Sequence, residues 1–363
     1  MTTTYRYLLT DLLTNEVIAE LPFTSVQFTQ QLNQAGTLSA SILLSGINAD
    51  VYNAKDSTIP ARNAIYVDRN GELVWGGIIW GRTYNSTSQT LNIAAREFES
   101  YFERRRISQD ITFTNIDQLS IAQTLVSYAQ GQPYGNINVA IGAETSGILL
   151  SRNYYRYELK TIYNALQDLS RAEDGFDFNI TVSYNGSGQP SKTLTLGYPR
   201  IGTVYDQFNP EAIMFDMPGN IVEYEYPEDG AIAANKVYAL GAGSNEGKLI
   251  SIQEDTTKYA DGWALLEEQS NYSDVTDQAY LDQLALGQVN AVSYPPTTMK
   301  VVVPAYQTPI FGTYGIGDDA RIRITDSNFP DTLDEVYRIV ALNVEPGEDG
   351  PERVTLTLTQ TTN

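Results

Sequence analysis

Apolar and polar residues alternate along much of this chain, in short runs separated by turn-forming residues. That period of two is the tightest constraint on its fold. Successive side chains of a strand point to opposite faces, so alternation gives a ribbon one face to bury and one to leave in water. The clearest case is Ala64–Arg69, then Asn70-Gly71, then Glu72–Trp75. Asn-Gly tolerates the positive φ that both central residues of a tight hairpin turn require, so two antiparallel strands are predicted here. Further strands are predicted at Tyr7–Asp11, Glu16–Leu21, Leu38–Leu43 and Thr90–Ala95, with Gly76-Gly77 bending the chain into Ile78–Gly81.

After residue 105 the period changes. Ile121, Leu125, Val126 and Ala129 share a helical face that stops at Gly131, and Ile162, Leu166 and Leu169 repeat the signal before Gly175. Strands are predicted at Phe176–Val182 and Lys192–Leu196, so 106–199 reads as an α+β domain inserted between β segments. Beyond it come strands at Ile221–Tyr226 and Lys236–Leu240, a short helix at Gly262–Gln269, and a longer helix after Thr276-Asp277 with Leu281, Leu284, Ala285 and Val289 on its apolar face. The predicted organisation is a first β-barrel domain over 1–105, completed by about 200–245. A small connecting α/β domain over 246–295 and a second β-barrel domain over 296–363 follow. The fold class is therefore mainly β, with two small barrels, an α+β insert and a further small domain.

The 363 residues include no cysteine and no histidine. Disulfides, thiolate metal sites and thiol nucleophiles are excluded, as are the usual general base and every Ser-His or Cys-His arrangement. The formal charge of −21 argues against a nucleic-acid grip, which needs clustered Lys and Arg to displace phosphate counterions. Such a charge favours solubility. The first residues carry no secretory signal and no stretch is long and apolar enough to span a membrane, so synthesis in a cytoplasm is expected.

Candidate chemistry is sparse. Gly241–Gly247 follows a predicted strand but precedes another, Lys248–Gln253, whereas a dinucleotide loop must open a helix whose N-terminus holds the pyrophosphate. Acidic loops at Asp318-Asp319, Asp326–Glu335 and Glu345–Glu352 lack the alternate oxygen ligands of a calcium loop and read as solvated turns. No motif marks a pair of carboxylates for glycoside hydrolysis. The one basic cluster is Arg104-Arg105-Arg106, preceded by Arg96-Glu97 and interleaved acids. It reads as a domain joint or subunit interface, with Arg96, Glu97, Arg104, Arg105 and Arg106 as its residues. No catalytic, metal or cofactor-binding residue is identified, and no cofactor is expected.

Several segments together resemble the tail-tip hub proteins of long-tailed bacteriophages, which are related to contractile-tail baseplate hubs. The resemblance is carried by Leu32–Ser41, by Ala64–Gly81 with its Val74–Ile79 ending, and by Arg96–Arg105. Ile162–Leu169, Gly317–Ile324, Tyr337–Val340 and Val354–Thr359 continue it almost to the end of the chain. It implies a non-enzymatic virion protein at the tail tip, assembled in the host cytoplasm without a lipid anchor. Three copies would form a ring whose two barrels per subunit match the sixfold tube. It also implies partners: the distal tail protein, the end of the tape-measure protein, and receptor-binding or fibre proteins. Phage DNA would pass only in transit, through a lumen whose acidity repels phosphate. Neither a hydrolase nor a fibre extension is expected after Gln360–Asn363. Three alternatives remain: a hexameric distal tail protein, the equivalent hub of an injection system or gene-transfer particle, and a carbohydrate-binding or glycoside-hydrolysing β protein.

Overall fold

The computed structural model describes residues 3–44, 53–205, 213–293, 298–347 and 351–360. The predicted boundary at 295/296, part of the acidic loop Glu345–Glu352 and the last three residues lie outside them.

Seven strands build the first half: β1 (Tyr5–Asp11), β2 (Val17–Glu20), β3 (Thr24–Gln31), β4 (Thr37–Leu43), β5 (Asn63–Arg69), β6 (Glu72–Asn85) and β7 (Thr90–Glu97). They pair antiparallel in the order β3-β4-β7-β6-β5-β1-β2. Asn70 (φ 56) and Gly71 (φ 92) make the β5–β6 turn, as the Asn-Gly pair predicts. β6 runs unbroken through Gly76-Gly77, with irregular register on either side, between Leu73 and Trp75 and between Ile79 and Gly81. Glycine is needed there for close approach, because a Cβ on Gly77 would lie 2.3 Å from the Arg96 carbonyl oxygen.

Strands β1, β5 and β6 are buried on both faces. Leu9, Ile65, Val67, Trp75 and Ile79 point into the half-barrel. Leu8, Ala64, Tyr66, Leu73 and Ile78 point out, against the inserted domain. That insert contains β8 (Ile111–Asp117), helix α1 (Gln118–Gly131), β9 (Val139–Ile141), β10 (Leu149–Tyr154), helix α2 (Ile162–Arg171), β11 (Asp177–Tyr184) and β12 (Pro190–Gly197). Asp117 caps α1 by accepting from the Leu119 and Ser120 amides, and Thr161 caps α2 by accepting from Asn164.

The second half contains β13 (Ile213–Met217), β14 (Glu223–Glu225), β18 (Thr298–Pro304), β19 (Asp319–Ile324), β20 (Leu333–Glu345) and β21 (Arg353–Gln360). The expectation that 200–245 completes the first barrel is therefore corrected. β13 lies parallel to β19 and β14 antiparallel to β18, so the return segment closes the second half instead. Phe215 and Ile221 sit in its core, and that burial recruits the segment. The small domain also begins before 246. Its sheet is β16 (Ile250–Glu254), β15 (Lys236–Leu240) and β17 (Glu267–Asn271), with β15 central, and helix α3 (Gln278–Val292) covers one face. The helix predicted at Gly262–Gln269 is absent. A short turn of helix forms at Thr257–Ala260, and Glu267–Asn271 is drawn into parallel pairing with β15.

One strand joins the halves. β20 pairs with β21 along one edge, while its other edge serves β19 from Leu333 to Arg338 and then β3 from Ala341 to Val344. A bulge falls between Ile339 and Ala341, where the edge changes partner. Thirteen strands thereby form one sheet over one apolar core.

A buried ion pair closes the same seam. Arg69 of β5 donates to both carboxylate oxygens of Glu352 at 2.7 and 2.8 Å and to the Phe311 carbonyl at 2.9 Å. Replacing Glu352 by Ala strands the guanidinium. The unfolding free energy should fall by about 3–5 kcal/mol in urea titration, and Arg69→Met with Glu352→Leu should recover most of it. An unchanged midpoint for Glu352→Ala would show that the pair does not hold the halves together.

Candidate assembly site

Four parts of the chain meet at Asp177, the first residue of β11. Its Oδ1 accepts from Asn33 Nδ2 at 3.0 Å, and Asn33 Oδ1 accepts in return from the Phe178 amide at 2.7 Å. Asn33 lies in the β3–β4 turn at φ 60, a conformation asparagine tolerates. Asp177 Oδ2 accepts from the Ile201 amide at 2.9 Å and from Arg338 of β20. Arg338 also donates to the carbonyls of Ile201 (2.9 Å) and Gly317 (3.2 Å). One carboxylate thus ties the first half, the insert, the return segment and the second half.

Nothing in the sequence around Asp177 or Arg338 marks this junction, because its members are brought together only by β20. The acids Asp318 and Asp319 belong to it too, and they are not solvated turn residues. Asp318 accepts from the Thr203 amide at 2.7 Å and Asp319 from the Tyr205 amide at 2.9 Å, and Asp319 also pairs with Arg200.

The basic cluster does not act as one patch. Arg96, near the end of β7, is locked bidentately to Glu103 at 2.6 and 2.7 Å. Arg104 is exposed, its guanidinium 5.7 Å from the centre of the Trp80 ring. Arg105 turns inward, 5.5 Å from the Tyr101 ring, and donates to the Ala129 carbonyl at 3.0 Å. A cation there satisfies a carbonyl left open at the C-terminal end of α1. Arg106 donates to the Leu159 carbonyl at 2.9 Å and borders the groove between insert and small domain. The segment therefore contacts the first half at one end and the insert at the other.

Glu97 is buried, accepting from the Gly36 amide at 2.6 Å. Glycine is required at 36, since a Cβ would lie 1.9 Å from the Thr29 carbonyl oxygen. Glu99 is buried nearby and takes the Ile180 amide on one oxygen, while its Oε2 has no partner among the described residues. Burial pushes the Glu97 carboxyl well above the ordinary range, with the Glu99 charge adding to it, and burial raises Glu99 to about 7. The alternation of β12 also buries Lys192. Its ammonium lies 4.6 Å from the Phe98 ring centre without a hydrogen-bond partner among the described residues, and burial lowers it to about 7. The sequence pattern that reveals the strand also places this lysine among its inward residues, Leu194 and Leu196.

The outer face of the joined sheet differs from these seams. Gln27, Thr29, Asn343, Thr355 and Thr357 line a shallow hollow of about 420 Å³ together with Glu223, Glu225 and Lys300, whose ammonium lies 3.1 Å from Glu225. Ser39, Ser41 and Asn92 extend that hydroxyl and amide surface across β4 and β7.

No family model and no curated protein sequence matches this chain. Solved structures do. The tail protein from Neisseria meningitidis MC58 superposes with a TM-score of 0.66 at 14% identity, covering 99% of this chain and 97% of that one. The 43 kDa tail protein of prophage MuSo2 from Shewanella oneidensis gives 0.61 at 13% identity, covering 98% of each chain. Prophage tail protein gp18 from Listeria monocytogenes EGD-e gives 0.54 at 12% identity, covering 97% and 94%. These likenesses are of fold: the chain has the mainly β architecture of phage tail proteins along almost its whole length.

The buried titratable groups give the seam a pH dependence of known sign. The raised Glu99 carboxyl contributes stability that is complete below the unfolded value near 4.5 and lost as pH rises through about 7, and raised Glu97 acts with the same sign. Lys192, whose value is depressed from 10.5, contributes stability that is complete above 10.5 and lost as pH falls through about 7. Lys192→Met should therefore raise the melting temperature at pH 6 and converge with the parent towards pH 10. Glu99→Gln should raise it more at pH 8 than at pH 5. Parallel melting curves across this range would contradict the assignment.

Proposed function

We propose that this chain is a structural hub protein at the tip of a phage tail, forming a trimeric ring that caps the tube and opens for DNA passage. The observation that carries the reading is the pairing of two half-barrels within one subunit through β20 and β3. Three such subunits present six comparable β units, the number that a sixfold tube requires of a threefold cap. A hexameric distal tail protein would need only one unit per subunit. The likeness to tail proteins over the whole chain supports the same reading at the level of fold.

In this role the segment from Arg96 to Arg106 is a domain joint that fixes the insert against the first half, and exposed Arg104 and Arg106 are available to a neighbouring subunit. The distal tail protein, the tape-measure end and receptor-binding or fibre proteins are the expected partners. For DNA in transit, the cations on the outward face of the joined sheet are scattered among hydroxyls and amides, and Lys300 and Arg321 are already paired with Glu225 and Asp334, which leaves a weak hold on phosphate. Strand edges such as β2 and β14 supply further assembly surface, since among the described residues each is paired on one side only. The hub of an injection system or gene-transfer particle would use the same arrangement.

Light scattering and electron-microscope class averages test the proposal directly. A ring of about three times the 40.2 kDa chain, with threefold symmetry, is the expected result. Sixfold rings would move the assignment to the distal tail protein. A chain that never assembles, with or without tail tube as template, and that binds glycans would overturn the hub reading in favour of a carbohydrate-directed protein.

A further inference from the structure

The small domain is half covered. Residues 228–293 hold eleven carboxylates against three lysines and no arginine, a net −8 of the chain's −21 in under a fifth of its length. Its sheet is shielded on one face by α3, which packs on Ala239 through Leu281, Leu284 and Ala285. The opposite face carries the other register. Leu240 stands across from Ile250, Tyr238 from Ile252, and Lys236 from Glu254. Ile250 and Ile252 are 50% and 53% exposed. An open antiparallel face ordinarily carries polar residues, and adjacent bare isoleucines on one are a mark of an absent partner. Acids border the aliphatic pairs on the same face. Glu254 accepts from the Tyr259 hydroxyl at 2.7 Å and lies 3.5 Å from the Lys236 ammonium, and Glu267 accepts from the Tyr238 hydroxyl at 2.7 Å, so two carboxylates against one lysine are held in place beside the patch.

We infer that this face is a docking surface for a basic segment of a partner protein, one that sets aliphatic side chains on Leu240, Ile250 and Ile252 and lysines or arginines against Glu254 and Glu267. Charge decides the occupant. A second copy would bring its own acidic small domain against the first and be repelled, and nucleic acid or an anionic membrane would be repelled likewise. A cationic protein surface gains both burial of the isoleucines and charge complementarity. This inference concerns an attachment outside the joined sheet and stands independently of the trimer proposed above.

The test uses the full chain and three synthetic decapeptides, alternating valine–lysine, serine–lysine and valine–glutamate, followed by fluorescence anisotropy at 150 mM salt. The valine–lysine peptide should bind, and the other two should bind at least about tenfold more weakly. Ile250→Ser with Ile252→Ser, which leaves the net charge unchanged, should weaken valine–lysine binding by about tenfold or more. Circular dichroism and the melting temperature should stay as in the parent, because both side chains are exposed. Glu254→Gln with Glu267→Gln should weaken binding and flatten its salt dependence. The inference is overturned if valine–lysine does not bind, if serine–lysine binds equally well, or if the double serine variant binds like the parent. Sedimentation showing self-association that the serine variant loses would overturn it too, by assigning the face to contact between copies.

Discussion

Pairing of β20 with β3 is the constraint on which the rest of this architecture depends. A strand has two edges, and β20 divides one of them between β19 and β3. The bulge between Ile339 and Ala341 lies at the change of partner, where an extra residue bends the strand and raises its twist. Without that hand-over the two halves would each expose an edge and a ring of apolar side chains. With it, Phe28 and Trp75 from one half and Leu342, Val344 and Leu356 from the other share one core. The polar junctions follow from the same geometry. Arg338 lies on β20 just before the bulge, which brings it to Asp177, and Glu352 lies just before β21, which brings it to Arg69. These pairs gain much of their strength from being desolvated and multiply bonded, and each would be costly if its partner were displaced.

The insert is positioned by a second device, strands buried on both faces. Leu8-Leu9, Ala64–Val67 and Ile78-Ile79 are unbroken apolar runs in strands that a half-solvated sheet would make alternate. One set of side chains fills the half-barrel and the other receives the insert. Close approach at this seam explains the glycine pair in β6. A Cβ on Gly76 would lie 2.8 to 3.0 Å from Tyr66, Val182 and Phe98, which come from both sides of the seam. Glu97, Glu99 and Lys192 are buried at the same boundary, where their charged forms are disfavoured together.

Local chemistry was legible in the sequence, and long-range pairing was not. The Asn70-Gly71 turn, the helices capped by Asp117, Thr161 and Asp277, and the alternating strand over 353–360 all follow from rules that act within a few residues. β13 was missed because its partner β19 lies about a hundred residues away and pairs in parallel, with no turn to announce it. β17 was misread because Glu267–Asn271 has little intrinsic strand preference and is held by β15 alone. At the candidate site, the segment containing Arg96 and Glu97 drew notice through its charge, yet the sequence suggested one shared surface. The fold instead gives each arginine a different neighbour, because β7 ends, a short helix intervenes, and the following residues enter the insert. Asp177 and Arg338 carried no signal, since a single acid and a single arginine gain meaning only from the partners that topology supplies.

Charge placement then separates two kinds of surface in one acidic chain. The total of −21 suggests a uniformly repulsive exterior, but the joined sheet turns outward a face of threonine, serine, asparagine and glutamine with charges of both signs among them, Lys300 beside Glu225 and Arg321 beside Asp334. A surface of that kind, with both signs interspersed, builds no strong field of either sign. The small domain has the opposite character, with concentrated carboxylates beside bare isoleucines. An acidic rim screens within about 8 Å at physiological salt, so its influence is confined to whatever lies directly against it. Long-range repulsion therefore cannot be the main consequence of that charge. Its physical effect is local, selecting which protein surface can settle on Ile250 and Ile252.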